Sequence, residues 1–183
     1  MARVSQAQAQ ENRERVVETA ARLFRERGVQ GVSVADLMGA AGLTHGGFYK
    51  SFASKEALVA EATGKAFAAS GARMTARDEA NAGDHPTARR ELLDYYLSPA
   101  HRDDAGDGCP VTGFGPDMAR ESPRSPARQT YEEGVEAFAR WMGDGDEDLA
   151  AVATMVGALM LARATAGTEL SERILAAARR ALD

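Results

Sequence analysis

Between residues 28 and 54 the chain stops and restarts helices at short intervals, and no other stretch limits its fold so tightly. Gly28, Ser33, Gly42, Thr44 and Ser54 are the punctuation. Glycine is a usual residue just past a helix end, while serine and threonine favour the position just before one. Ser33 with Asp36 three residues later has the form of a capping box. It opens a short helix, "VADLMGAAG", with Leu37 and Met38 turned inward and Gly42 closing it. Thr44 is then placed to cap a third helix holding His45 to Phe52. Ser54 caps a fourth, with Glu56 near its positive end. Ahead of them Val16, Ala20, Leu23 and Phe24 share one helical face, and Gly28 ends that first helix. A short helix, a glycine-bearing turn and a second short helix form a helix-turn-helix pattern.

That pattern bears on the segment "LTHGGFYKSF" at residues 43–52. Each glycine costs a helix interior roughly 1 kcal/mol relative to alanine, so Gly46 and Gly47 side by side need a reason. One is a plain turn, since glycine permits unusual backbone angles. The other is a close approach that leaves no room for side chains. In a helix-turn-helix the second helix enters the major groove with its N-terminal residues facing base edges. Here that end is Thr44-His45-Gly46-Gly47, where bare backbone can sink toward the groove and present N–H groups to phosphate. Phe48 and Phe52 would pack the helix to its neighbours, leaving Tyr49 and Lys50 facing DNA.

The rest of the chain follows the same helical grammar. Helical stripes run from Ser54 through Leu58, Ala62 and Ala66, then through "TARRELLDYYLS", a segment starting near Cys109-Pro110, and one marked by Tyr131, Val135, Phe138 and Met142. Two further helices are placed near Asp146–Thr165 and Leu170–Leu182. "SPAHRDDAGDG" is expected to be a polar loop, and residues 1–11 a loose polar arm. Alanine is abundant, β-branched runs are scarce and no strand pattern appears, so the fold class is all-α. The expected organisation is an arm at 1–11, a three-helix helix-turn-helix domain at 12–53, and a larger helical domain at 54–183.

Charge agrees with that division. The net charge is −5, yet residues 1–60 hold eight basic and six acidic side chains, leaving −7 on the remainder. A mildly basic end on an acidic body is compatible with nucleic-acid binding at that end. The start, "MARVSQAQAQ", lacks the apolar segment of a signal peptide. The most apolar stretch, between Asp148 and Arg163, is too short to span a membrane. One cysteine excludes an internal disulfide framework. The expectation is a cytoplasmic protein with no membrane partner.

The run "ETAARLFRERGVQGVSVADLMGAAGLTHGGFYKSFASKEALV" resembles the N-terminal domain of the tetracycline-repressor (TetR) family of transcriptional regulators. The likeness spans about residues 12–60. It rests on Leu23-Phe24 before Gly28, the Ser33 start, Gly42-Leu43-Thr44, Phe48-Tyr49 with Phe52, and Ser54-Lys55-Glu56. The resemblance implies phosphate contacts from Ser33, Thr44, Tyr49 and Lys55, with His45, Gly46 and Lys50 nearest base edges. Ser51 stands where members of the family often carry histidine. The resemblance also implies that residues 54–183 form an all-α ligand-binding and dimerisation domain. The favoured reading is a repressor that binds a palindromic operator as a homodimer, its two heads held at the spacing of successive major grooves, and is released by a small-molecule effector. Alternatives of other classes are a helical adaptor without DNA binding and a cysteine-dependent enzyme; specific binding to duplex DNA separates the first reading from both.

Several residues outside the head are candidates for other tasks. Tyr95, Cys109, Phe114, Met118, Phe138, Trp141 and Met155 are aromatic, sulfur-bearing or flexible apolar residues able to line a ligand pocket. Cys109 precedes Pro110, and a thiol at a helix N-terminus can be reactive; the plainer reading is a small core residue. His101, Asp103, Asp104 and Asp107 lack the alternating oxygen pattern of a calcium loop, because Ala105 interrupts it. Neither a metal nor a cofactor is expected. "GVSVA" at 31–35 lacks the second glycine of a nucleophile elbow, and His85 has no evident partner. For dimerisation, Leu149, Val152, Val156, Leu159 and Met160 spread apolar surface around one helix, and Leu170, Ile174, Leu175 and Ala178 line the next. Pairing two such helices from each chain would give a four-helix interface.

Overall fold

A computed structural model describes residues 6–143 and 146–183, and every regular element among them is helical. The first helix, α1 (Gln6–Arg27), ends at Gly28, whose φ of +73° suits a residue without Cβ. Helix α2 (Val34–Ala40) begins at the Ser33 capping box, complete in both directions. Gly42 (φ +71°) follows it, and a 3-10 turn (His45–Gly47) runs into α3 (Phe48–Ser51). Helix α4 (Lys55–Ala80) starts at Ser54, whose hydroxyl accepts from the Ala57 amide. Its 26 residues span about 39 Å. Then come α5 (His85–Tyr96), α6 (Pro99–Asp103), α7 (Pro110–Met118), α8 (Pro126–Met142), α9 (Leu149–Ala164) and α10 (Glu169–Ala181).

Three expectations are corrected. The polar start is helical from Gln6 rather than loose to residue 11: Gln8 pairs with Glu11 and Asn12, and Gln10 with Glu14, at helical spacing. The loop expected at 98–108 opens with α6, where Ser98 caps the His101 amide and Pro99 takes the first helical position. Thr44 precedes the 3-10 turn in extended conformation but makes no side-chain cap bond.

The interior forms two cores. The first joins Val16, Leu23 and Phe24 of α1 to Leu37, Phe48, Phe52 and Leu58, and it includes Phe114 and Met118 of α7. The second joins Leu93 and Tyr96 of α5, Met142 of α8, and Met155 and Leu159 of α9 with Leu175 of α10. The first core therefore draws on α4 and α7 and does not stop at residue 53. Helix α4 runs from the head, through Leu58 and Ala62, to Met74 in the second core.

Helices α9 and α10 lie against each other, and their apolar residues divide between two faces. Val152, Leu159, Leu175 and Ala178, expected at a dimer interface, are buried in the chain's own core. Val156 and Ile174 are half-buried against that core. Leu149 (52 % exposed), Met160 (44 %), Leu161 (58 %) and Leu170 (48 %) face outward. A helix apolar nearly all round has apolar residues left over once one face has entered the core, and periodicity alone could not divide the two faces.

Candidate nucleic-acid interface and body cavity

The tip of the head is built from Thr44 to Lys50. Phe48 and Phe52 are buried with ring centroids 5.4 Å apart, fixing α3 to the first core. Tyr49 sets its ring edge-on to Phe48 at 5.1 Å yet is 66 % exposed. Thr44, His45, Gly46 and Lys50 are exposed beside it, and His45 lies edge-on to Tyr49 at 6.4 Å. One short surface thus carries a hydroxyl, an imidazole, a phenol and an ammonium group around bare backbone.

The two glycines differ in what surrounds them. Neither has a positive φ, so unusual backbone angles do not account for them. A Cβ on Gly47 would lie 3.4 Å from the Met38 methyl, in the wall of the first core. A Cβ on Gly46 would meet nothing within 4 Å. A Cβ on Gly47 would thus touch the core at ordinary contact distance, and the protein's own packing gives no reason for Gly46.

Two residues assigned to phosphate are engaged within the chain. The Ser33 hydroxyl donates to Asp36 Oδ2 (2.6 Å) while accepting from the Asp36 amide (3.1 Å). The bond from the serine hydroxyl, followed by one from the Ser33 amide to the same Oδ2 (2.9 Å), holds the Asp36 carboxyl's pKa below its usual value. Lys55 Nζ donates to the Val29 carbonyl at 2.6 Å, tying the start of α4 to the turn after α1. Lys55 therefore differs from the outward-pointing group that was expected.

Further links join head and body. Asp117, buried near the end of α7, accepts from the Val29 amide (2.9 Å) and from Arg120 (3.1 Å). Arg25 of α1 donates to the Gly108 carbonyl at 2.9 Å. Arg13 pairs with Glu61, and Lys65 with Glu18, along the α1–α4 seam.

The body holds a cavity of about 30 Å³ where α4, α5, α6 and α8 meet the segment 107–109. Arg73, Arg77, Tyr95, Tyr96, His101 and Phe138 are among its walls, with Cys109. Of the residues expected to line a pocket, Tyr95, Cys109 and Phe138 are brought together here. Phe114 and Met118 instead fill the first core, and Met155 is fully buried in the second. Trp141 lies elsewhere, donating from Nε1 to Asp78 (2.7 Å) and standing edge-on to His85. His85 also has a partner, the same Asp78, 2.9 Å from its Nδ1.

His101 organises the cavity wall. Its Nδ1 lies 2.9 Å from the Tyr96 carbonyl, and its Nε2 accepts from the Cys109 amide at 3.0 Å. That pair of bonds requires the proton on Nδ1. Burial lowers the imidazole's pKa to about 4, while burial also pushes the Tyr96 phenol well up. Arg73 and Arg77, one turn apart on α4, were missed in the sequence; their spacing was the available signal, but the cavity that gives it meaning needs α5 and α8. Among the described residues no group of three or more His, Cys, Asp or Glu is placed to hold a metal ion, and no helix is long and apolar enough to cross a membrane.

A helix-turn-helix head on an all-helical body defines a class of DNA-binding regulators, and comparisons with known proteins agree. Residues 16–62 match the profile of the bacterial regulatory proteins of the tetR family. Over 137 residues the chain is 29% identical to the HTH-type transcriptional repressor DhaR of Mycobacterium sp. (strain GP1), covering 74% of this chain and 67% of DhaR. A match of 39% over 61 residues links it to the HTH-type transcriptional regulator AcrR of Shigella flexneri, covering 33% of this chain and 28% of AcrR. The crystal structure of a TetR transcriptional regulator from Chloroflexus aurantiacus J-10-FL shares 30% identity over 96% of this chain and 94% of its own, with a TM-score of 0.72. The chain belongs to the TetR family of transcriptional regulators.

Proposed function

We propose that the protein is a repressor that binds a palindromic operator as a homodimer and is released by a small molecule. The observation that carries this reading is Gly46, an exposed glycine whose missing side chain nothing in the fold requires. Thr44 and Tyr49 contact phosphate, and His45, Gly46 and Lys50 approach base edges in the major groove. Ser33 adds at most its hydroxyl oxygen, and Lys55 acts chiefly by holding α4 to the head.

Two heads bind a palindrome when held about 34–36 Å apart, the repeat of successive major grooves. The outward apolar residues of α9 and α10, Leu149, Met160, Leu161 and Leu170, supply the face for a second copy. Half-buried Val156 and Ile174 extend that face at its margin. A ligand in the body cavity that prefers another head spacing shifts the population away from the DNA-bound form. Helix α4 runs from head to cavity and is the lever.

Selection of bound sites from a random duplex library tests the reading. The expected product is one inverted repeat, protected over both half-sites. Recovery of no preferred sequence would sink the operator assignment and favour a helical adaptor.

A further inference from the structure

We propose that the body cavity takes a small organic anion with an apolar or aromatic body, and that this anion acts by drawing Arg73 away from Asp107. The inference rests on the ligand-released regulator proposed above and names both its ligand class and the contact that the ligand breaks.

Charge sets the ligand class. Arg73 and Arg77 line the cavity from α4. Two more guanidinium groups stand behind its rim. Arg25 is bonded to the Gly108 carbonyl, and Arg163 to the carbonyls of His101 (3.1 Å) and Asp104 (3.4 Å). Asp104 and Asp107 are the carboxylates of this rim, while Asp78, next to Arg77, turns away to His85 and Trp141. His101 is neutral at physiological pH because burial lowers its pKa. Among the described residues Arg77 has no carboxylate partner; its guanidinium lies 5.4 Å from the centre of the Tyr95 ring. In a chain of net charge −5, this pocket is locally positive. Met74, Leu92, Tyr96 and Phe138 complete it with apolar surface suited to a hydrocarbon body.

Size sets the mechanism. A cavity of about 30 Å³ has room for little more than a water molecule, so an organic ligand has to enlarge it. Tyr96 and Phe138 belong to the second core and are backed by packed side chains. The yielding part is the rim, where Arg73 holds Asp107 through the Oδ1 atom (3.1 Å) and the carbonyl (3.3 Å). Both side chains are substantially exposed, and such a pair contributes little stability. A ligand carboxylate offers Arg73 the same chemistry in a drier place, where two parallel N–H···O bonds are stronger. Once Arg73 turns inward, the segment at Asp107 loses its hold on α4. The next residue, Gly108, is the one whose carbonyl Arg25 of α1 grips. The exchange therefore reaches the head through one residue of backbone.

Matched pairs of probes test this on the full chain with its selected operator: benzoate against benzamide, and hexanoate against hexanamide. At least one carboxylate should raise the melting temperature by about 2 °C and weaken operator binding about tenfold, with no such effect from its amide. Arg77→Met and Arg77→Gln should lose both responses while still binding operator. Arg25→Met should keep the melting shift and lose the release. Asp107→Asn should weaken operator binding severalfold with no probe present. The proposal is overturned if the amides act as the carboxylates do, if no carboxylate shifts the melting temperature, or if both Arg77 variants respond as the wild type does. Release by neutral compounds alone would overturn the anion assignment and leave the ligand-released regulator standing.

Discussion

Gly46→Leu separates the demands of the fold from the demands of DNA. A Cβ at this position meets no atom within 4 Å, and the residue is exposed in a 3-10 turn, so the variant should fold as the wild type does. Glycine costs up to about 1 kcal/mol in helical conformations, and exposed substitutions away from special features usually fall within about 0.5 kcal/mol. Unfolding in urea should therefore show an unchanged or slightly raised midpoint. On DNA the outcome is different. A leucine side chain at the tip holds the turn off the groove floor and forfeits at least one base-edge contact, each worth about 1–3 kcal/mol. That corresponds to roughly a 5-fold to 150-fold loss of affinity for the selected operator, read by fluorescence anisotropy at fixed salt. Gly46→Ala, reaching only to Cβ, should lose less. Gly47→Leu is a poorer control, because its Cβ would already touch Met38 in the core. A Gly46→Leu protein that melts normally and binds the operator within twofold of the wild type would refute the close-approach explanation.

Other perturbations probe the links between head, body and partner. Asp117→Ala strands the buried Val29 amide and should cost about 1–3 kcal/mol in urea unfolding. His101 has a folded pKa of about 4, below its ordinary 6.5, so the unfolded chain binds more protons between those values. Its contribution to stability is complete at neutral pH and falls as the pH drops from about 6.5 toward about 4. Between about pH 7 and pH 5 that is about 2 kcal/mol, and His101→Gln should remove this part of the pH slope. Met160→Glu with Leu161→Glu should give a folded monomer by sedimentation that protects no full palindrome, since both side chains face outward from α9.

Sequence reading was strongest where local chemistry decides the structure. The Ser33 and Ser54 caps, the glycine ends at 28 and 42, and the inward Phe48 and Phe52 all depend on near neighbours. It was weakest where partners are distant in the chain. Lys55 looked free until the fold placed the Val29 carbonyl beside it, 26 positions away. Phe114 and Met118 read as possible pocket lining because an apolar stripe does not say which of two cores it enters. His101 looked like part of a solvated loop. Its burial depends on α6, a helix of five residues whose only local signals are Ser98 and Pro99. The cap that opens α6 could be found in the sequence; the bond from the Cys109 amide to the imidazole could not.

The packing of α7 explains why the head does not sit on the body as an independent unit. This helix starts where Cys109 lines the cavity and ends in the first core, where Phe114 and Met118 touch the helices of the head. Its nine residues span about 13 Å. Near its far end Asp117 holds the Val29 amide, whose carbonyl partner in turn is Lys55 at the start of α4. The turn after α1 is thus gripped from both sides, by α7 through the amide and by α4 through the carbonyl. A displacement of either helix at the cavity end changes the seat of α1 relative to the body. Packed helices of this kind shift as units rather than deform continuously. Two helices that meet Val29 at one end and the same cavity at the other form a short path between cavity and head, built from hydrogen bonds that single substitutions can remove.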